Sequence, residues 1–250
     1  MTVIDGKWIM FGVSEDDPCC IKSPAELTSF VEEVGFLPLF AGKIEGFSLE
    51  ERTVAGNWWT GDIAADPWEW REIIAEEGKI AYGKFFDRKA GFISREFLPL
   101  FINMRRDGYD WDAAWDDGKL KYKEKCIMDL YGPAESARKG HKGILSFEIK
   151  DKAGFGKDGH KNFDGTLTDL QMRMYLCVRG FGQRVNRDGD PYGWAVARYA
   201  MPEQIWGYKA VTSCYNEEPK ESAARLISHM RQHWPDADEK TIRKVLGVKK

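Results

Sequence analysis

Basic and amide side chains are concentrated on two stretches where a helix signal is followed by a hairpin signal. Arginine and lysine neutralise phosphates and release counterions. A helix can enter the major groove, about 12 Å wide, while a hairpin reaches phosphate or the minor groove. The pattern therefore predicts contact with double-stranded DNA through Lys84, Arg88, Lys89, Gln171, Arg173, Arg184, Arg187 and Arg198. The alternative is a pair of solvent-exposed hairpins whose arginines pair with nearby acids such as Asp188 and Asp190.

A second group of residues could act on a base removed from the helix stack. Trp58 and Trp59 offer indole rings, and Asp62 follows three residues later. Indoles can stack on an extruded base, and a nearby carboxylate can activate water. Asp62 is thus the candidate catalytic acid of an aromatic pocket. The alternative is a tryptophan-rich part of the core, because tryptophan is usually buried.

Metal and cofactor chemistry is weakly supported. The acids at 107, 110, 112, 116 and 117 do not have the spacing of an EF-hand loop. His229 and His233 are four residues apart and can share a helix face, but no third ligand accompanies them. We therefore expect no metal and no cofactor.

Charge and cysteine content limit the class of protein. The chain has 250 residues and a net charge of −3, so a uniformly basic nucleic-acid binder is excluded and only a local basic face could bind DNA. Five irregularly spaced cysteines without a CxxC pair indicate a reduced, cytoplasmic protein without a zinc site. The sequence has no run of about 18 apolar residues, so no membrane helix is predicted. The first nine residues lack the apolar core of a signal peptide.

The first basic stretch lies in a unit that begins with a proline-initiated helix. Asp66 and Pro67 predict a helix to about Glu77, since Asp caps well and Pro suits the first turn. Strands at 80–86 and 91–93 flank a turn, and a helix follows at 94–104. Further basic residues in and after this helix are Arg95, Arg105 and Arg106.

The second stretch repeats this order more clearly. A helix is predicted over 163–178, because Leu167, Leu170, Met174 and Val178 fall on one side. Strands at 181–186 and 192–199 flank an Asp-Gly turn, a strong hairpin signal. Helix followed by hairpin is the outline of a winged helix, and two basic hairpins of this kind would flank one groove and clasp a duplex. The predicted fold class is α+β, mainly helical, with tandem winged-helix-like units and β-hairpin wings.

Three regions follow from this order. We expect an N-terminal helical region with the first winged-helix-like unit at 1–118, the second unit at 119–202 and a C-terminal strand and helical extension at 203–250. The acidic, turn-rich stretch 107–118 marks the first boundary. Shorter predictions are helices at 24–34, 119–131, 222–234 and 238–246, a buried connection at 36–40 and an irregular or strand-like segment at 203–216.

Several strings of residues resemble one protein family. They are Trp68-Glu69-Trp70-Arg71, Tyr82-Gly83-Lys84-Phe85-Phe86, Gly91-Phe92-Ile93-Ser94, the run from Phe163 to Gln171, and Tyr192-Gly193-Trp194. The chain resembles AlkZ-related bacterial proteins over about residues 25–245. That family is similar to the AlkZ-type DNA glycosylases, which combine tandem winged helices with a small β-barrel. Those enzymes excise alkylated or crosslinked bases with a Gln-x-Gln or Gln-x-Asp motif.

The chain departs from this motif. None of its glutamines stands two residues before Gln or Asp; they are Gln171, Gln183, Gln204 and Gln232. The resemblance implies a DNA-binding protein related to repair glycosylases, without an evident catalytic residue. The alternatives are a glycosylase-like hydrolase with an unrecognised carboxylate, and a winged-helix module that binds protein or is purely structural. The sequence names no protein partner.

Overall fold

Helices and antiparallel strands alternate along the chain in the computed structural model, which describes residues 2–4 and 7–248. The helices are α1 (Pro24–Val34), α2 (Pro67–Glu77), α3 (Leu98–Arg106), α4 (Trp111–Asp116), α5 (Tyr122–Met128), α6 (Ser146–Lys152), α7 (Phe163–Met172), α8 (Pro202–Trp206), α9 (Tyr208–Val211), α10 (Pro219–His233) and α11 (Glu239–Leu246). The strands are β1 (Thr2–Ile4), β2 (Lys7–Ile9), β3 (Phe36–Pro38), β4 (Ala81–Phe86), β5 (Lys89–Ile93), β6 (Ile144–Leu145), β7 (Cys177–Val185) and β8 (Pro191–Ala200). None of the helices within the described residues combines the length and apolar character that crossing a bilayer requires.

Local capping explains where several helices begin. Ser23 accepts a hydrogen bond from the backbone amide of Glu26 at 3.2 Å, and Asp66 accepts one from Trp68 at 2.8 Å. Each satisfies an amide that the first helical turn leaves without a partner. A glycine with positive φ then ends each helix, Gly35 after α1 and Gly78 after α2. These two helices confirm the prediction from their capping residues.

One six-stranded antiparallel sheet has the order β3-β5-β4-β7-β8-β6, which confirms the α+β class. Its two halves share one arrangement. In the first half, β3 pairs with β5, the second strand of the β4–β5 hairpin. In the second half, β6 pairs with β8, the second strand of the β7–β8 hairpin. The helix before each hairpin is α2 in one half and α7 in the other.

The two hairpins join at their bases and point in opposite directions. Tyr82 of β4 lies opposite Val178 of β7 in an antiparallel pair. From this contact β4 runs to the turn at Asp87, while β7 runs the other way to the turn that follows Val185. At about 3.3 Å per residue, the far ends of β4 and β7 are roughly 35 Å apart. The expectation that both hairpins flank one groove and clasp a duplex is therefore wrong.

The core surrounds α3, every residue of which is buried, including Arg105 and Arg106. Both arginines were expected on the basic surface, and both lie inside instead. The largest fully buried side chains come from the sheet and the helices on its faces, among them Phe36, Trp70, Phe85, Phe92, Phe101 and Tyr175. Tertiary packing thus decides the position of these charges, because nothing in their local sequence separates them from surface arginines.

Some predicted elements end or form differently. Helix α7 stops at Met172, because Met174 adopts a left-handed backbone with φ +63° and the chain enters β7 at Cys177. Met174 and Val178 are buried as expected, but by a turn and a strand. The connection at 36–40 is buried as expected, and its first residues form β3. Residues 203–216 contain α8 and α9 and are therefore largely helical.

Candidate nucleic-acid interface

Gln171 joins α7 to the first hairpin. Its side chain is 1% exposed, and its Oε1 accepts a hydrogen bond from the backbone amide of Lys84 at 3.0 Å. Its Nε2 donates to the carbonyl of Leu167 at 3.3 Å. With donor and acceptor both engaged inside the protein, Gln171 is not accessible to a base edge in this structure.

The basic residues of the first hairpin also turn towards α7. Lys84 donates from Nζ to Thr168 Oγ1 at 3.4 Å. Arg88 forms an ion pair with Asp169 and donates to the carbonyl of Gly165 at 3.4 Å. Lys84 and Arg88 thus both contact α7, and of the two Arg88 has a carboxylate partner, although both residues remain exposed. Lys89 stays exposed and lies beside a cavity at the hairpin turn.

Arg173 is held at the end of α7. Its Nη1 lies 3.2 Å from Glu124 Oε2, and the carboxylate side chain is only 3% exposed. The guanidinium also lies over the ring of Tyr175, 5.1 Å from its centroid. Arg173 therefore stabilises the packing of α5 against α7, where a nearly buried carboxylate requires a partner.

The second hairpin covers α2 in the same manner. Arg179 of β7 donates to the carbonyls of Ala75 at 2.9 Å and Glu76 at 2.5 Å. These carbonyls lie at the C-terminus of α2, where a cation is favoured by the helix dipole. Each helix that precedes a hairpin is thus packed against a strand of the other half. The exposed residues include Glu76 and Glu77 on α2 and Asp164 on α7, which would repel phosphate.

The outer part of the β7–β8 hairpin forms no ion pair among the described residues. Every residue from 183 to 195 is exposed, and Trp194 reaches 93% exposure. Arg184 lies over the ring of Phe147 on α6, 4.1 Å from its centroid. Arg187 has no ion pair among the described residues. The turn itself is closed by Asn186, whose side-chain oxygen accepts from the amides of Asp188 at 2.9 Å and Asp190 at 2.8 Å.

Arg198 lies nearer the base of the same hairpin. Its guanidinium passes so close over Gly182 that a Cβ there would lie 2.8 Å from Nη2. The absence of a side chain at Gly182 therefore gives Arg198 room to cross the strand. Of the eight predicted basic and amide residues, the structure brings Arg184, Arg187 and Arg198 onto one hairpin. It brings Lys84, Arg88 and Gln171 together around α7.

The stretch of sequence that contains this hairpin is rich in lysine and arginine. Residues 138–198 contain twelve Lys and Arg against seven Asp and Glu, a net charge of +5 in a chain of net −3. The segment includes β6, which pairs with β8, and α6, which carries Phe147 beneath Arg184. Exposed lysines without an ion pair among the described residues are Lys142, Lys150, Lys152 and Lys157.

The tryptophan pair does not form an open pocket with Asp62. Trp58 is buried, donates from Nε1 to Thr53 Oγ1 at 3.0 Å and packs on Phe40, with ring centroids 5.5 Å apart. Trp59 is half exposed. Asp62 lies on an exposed loop, and its Oδ1 accepts from the amide of Ala64 at 2.9 Å. Trp58 thus belongs to the core.

The acidic stretch before residue 118 is dispersed by the fold. Asp107 follows the end of α3, while Asp110 accepts hydrogen bonds from Tyr208 at 2.8 Å and Tyr215 at 3.2 Å. Between residues 7 and 248, and in the short strand 2–4, no three His, Cys, Asp or Glu side chains are grouped as metal ligands.

Sequence reasoning missed Tyr192 and Trp194 as surface residues. Both were noted only within a string that resembles a family, yet their side chains are 51% and 93% exposed. Their position beside Gly193, on a strand that follows an Asp-Gly turn, was an available signal, because hairpin ends project from a sheet.

Comparison with known proteins gives one result. No curated protein and no solved structure matches the chain. The sequence profile of the AlkZ-related family matches residues 21–247, nearly the whole length. On this evidence, the chain is a member of the AlkZ-related family.

Proposed function

We propose that this protein binds double-stranded DNA and that the outer part of the β7–β8 hairpin makes the principal contact. In this proposal the two halves of the sheet are tandem winged-helix-like units, within residues 1–118 and 119–202, and 203–250 is an extension. The order of helix, short strand, helix and hairpin, with the short strand paired to the last strand, is typical of winged helices. The hairpin then takes the role of the wing.

The observation that carries the proposal is the exposure of Trp194 between arginines. Trp194 is 93% exposed, and the same hairpin also exposes Tyr192 and Val185, which supports an apolar interaction surface there. Arg184 and Arg187 on the preceding strand and turn supply phosphate contacts. An apolar ring can then enter the minor groove or pack against sugars.

The charge distribution supports the same side of the molecule. The segment 138–198, which contains the hairpin, carries a net charge of +5, although the chain as a whole is acidic. Release of counterions by these lysines and arginines favours association. Helices α2 and α7 are not used, because their hairpin-facing sides are covered and their exposed residues include carboxylates.

Membership of the AlkZ-related family supports a relation to AlkZ-type DNA repair proteins. The Gln-x-Gln or Gln-x-Asp motif of those glycosylases has no counterpart here. We therefore propose recognition of DNA without excision by that motif. Of the eight basic and amide residues predicted from the sequence, we propose Arg184, Arg187 and Arg198 as the DNA contacts.

Fluorescence anisotropy with a labelled 20-base-pair duplex tests this proposal. We expect binding at 50 mM salt that weakens steeply as salt rises. Arg184→Ala/Arg187→Ala removes two phosphate contacts and should lower the slope of log K against log salt by about 1.8. Trp194→Ala should weaken binding with little change in that slope.

The matched control removes the same charge elsewhere. Lys209→Ala/Lys220→Ala changes two exposed lysines on α9 and α10 and should leave duplex binding nearly unchanged. Circular dichroism confirms that each variant is folded. Absence of duplex binding at 50 mM salt, or equal losses in the control and the arginine variant, would contradict the proposal.

A further inference from the structure

A cavity of about 250 Å³ lies at the turn of the first hairpin, at the opposite end of the sheet from Trp194. Its walls come from the β4–β5 turn, from the loop after β3 and from α11. The residues that matter for its chemistry are Phe40, Phe47, Phe86, Lys43, Lys89 and Lys244. Of this set, only Lys89 was a candidate binding residue from the sequence.

Of the aromatic lining residues, Phe40 keeps an exposed surface, and the rings of Phe47 and Phe86 support the wall from behind. Phe47 and Phe86 are each 2% exposed, with ring centroids 6.2 Å apart and planes at 80°. Phe40 is half-buried and packs on Trp58 at 5.5 Å and on Trp68 at 6.4 Å. The walls are thus formed before any ligand arrives.

The rim is positively charged. Lys43 and Lys89 are exposed and make no ion pair within the described residues. Lys244 lies 2.9 Å from Asp87 Oδ2, which is the carboxylate among the lining residues. Three ammonium groups against one carboxylate leave a local excess of two positive charges. An anionic group at the rim would therefore be attracted, although the chain is acidic overall.

Size and wall chemistry together narrow the ligand class. An apolar cavity of about 150 Å³ is enough for benzene, so this one admits a larger planar ring. A bare inorganic anion would leave the apolar wall unused, and an uncharged acyl chain would leave the lysines of the rim unused. A planar heteroaromatic ring that carries a phosphate uses both the walls and the rim.

We propose that this cavity binds a nucleotide, with the base against Phe40 and the phosphate at Lys43 and Lys89. The nucleotide is either free or the terminal unit of a single strand. This site does not rest on duplex binding by the β7–β8 hairpin, since the two lie at opposite ends of the sheet.

Calorimetric titration of the full chain tests the site with deoxyadenosine 5′-monophosphate. We expect saturable binding, and at least tenfold weaker binding of deoxyadenosine and of inorganic phosphate, because each lacks one half of the interaction. Lys43→Ala/Lys89→Ala should weaken nucleotide binding at least tenfold. The control Lys209→Ala/Lys220→Ala should bind the nucleotide like the wild type.

The remaining measurements identify the source of the nucleotide and show that the two binding sites are independent. If a single-stranded pentamer of deoxyadenosine binds more tightly than the monophosphate and loses affinity in the lysine variant, the ligand is a strand end. If the protein prefers the monophosphate, the ligand is a free nucleotide. Lys43→Ala/Lys89→Ala should retain duplex binding, and Trp194→Ala should retain nucleotide binding, so the two sites fail separately. If no heat of binding is observed at about 5 mM nucleotide, the proposal is overturned. It is also overturned if deoxyadenosine binds as tightly as deoxyadenosine 5′-monophosphate.

Discussion

Asp62 and Asp66, two carboxylates four residues apart, show how strongly the burial of a side chain depends on its position in the fold. Asp66 is fully buried and accepts hydrogen bonds from the amides of Trp68 at 2.8 Å and Gly61 at 3.0 Å. Asp62 is exposed and accepts one from the amide of Ala64. The residue proposed for chemistry thus lies on a loop surface, while the capping residue is a buried structural group.

Substitution should separate these two roles. Asp66→Ala leaves the first amides of α2 without their acceptor and should reduce the free energy of unfolding by about 1–2 kcal/mol. Asp62→Asn keeps a side-chain oxygen and should leave the free energy of unfolding nearly unchanged. Urea denaturation followed by circular dichroism measures both. Equal stability of Asp66→Ala and the wild type would show that the cap contributes nothing.

At the scale of elements, α3 is the helix on which the remaining parts converge. Arg105 donates to the carbonyl of Leu246 at 2.8 and 3.1 Å, to Phe85 at 2.6 Å and to Met172 at 3.2 Å. One buried guanidinium therefore connects α11, β4 and the end of α7. Beside it, Arg106 pairs with Glu203 of α8, both side chains being 1% exposed.

Loss of Arg105 should release the C-terminal helix first. Arg105→Met keeps much of the volume but leaves the three carbonyls without their donor, at a cost of about 2–4 kcal/mol. Helix α11 is short and ends at Leu246, so we expect its amides to exchange fastest. Hydrogen exchange with mass spectrometry of peptides over 239–246 measures this change. Arg95→Met, on the surface, is the control, and unchanged protection of α11 in Arg105→Met would contradict the expectation.

At the scale of the whole molecule, buried tyrosines set the response to alkaline pH. Burial raises the pKa of Tyr82 to about 12, and it raises the pKa values of Tyr131 and Tyr199. The folded state therefore keeps these phenolic protons after the unfolded state has lost them. The resulting stability is fully present below the unfolded pKa, about 10, and is lost as pH rises through the folded pKa.

Burial also raises the pKa of the Cys177 thiol, so the free energy of unfolding should begin to fall above about pH 8.5 and fall more steeply above about 10, where the tyrosines contribute. Tyr82 alone accounts for about 3 kcal/mol of that fall, since its pKa differs by about two units between the states. Denaturant titrations at each pH measure stability, and absorbance at 295 nm measures tyrosinate. Ionisation of these tyrosines before any loss of structure would contradict the prediction. Tyr82→Phe should make the decline shallower.

The sequence was sufficient where the deciding interaction is local. Ser23, Asp66 and the glycines after α1 and α2 identify helix ends, because capping bonds span only a few residues. The Asp-Gly turn identifies the β7–β8 hairpin and places Arg187 at its exposed end. The α+β class and the family follow from the same local strings of residues. Cavity residues such as Phe40 and Lys43 carried no such signal, because three distant segments build that site.

Tertiary structure alone decided which basic residues face outward. The antiparallel contact of Tyr82 with Val178 directs the hairpins apart and packs α7 against β4. The side chain of Gln171 in α7 then accepts a hydrogen bond from the backbone amide of Lys84 in β4. Arg105 is enclosed by carbonyls from three elements. These partners lie 20 to 141 residues away in the chain. A local pattern specifies a charged side chain and its helix or strand, but burial depends on what the rest of the chain places beside it.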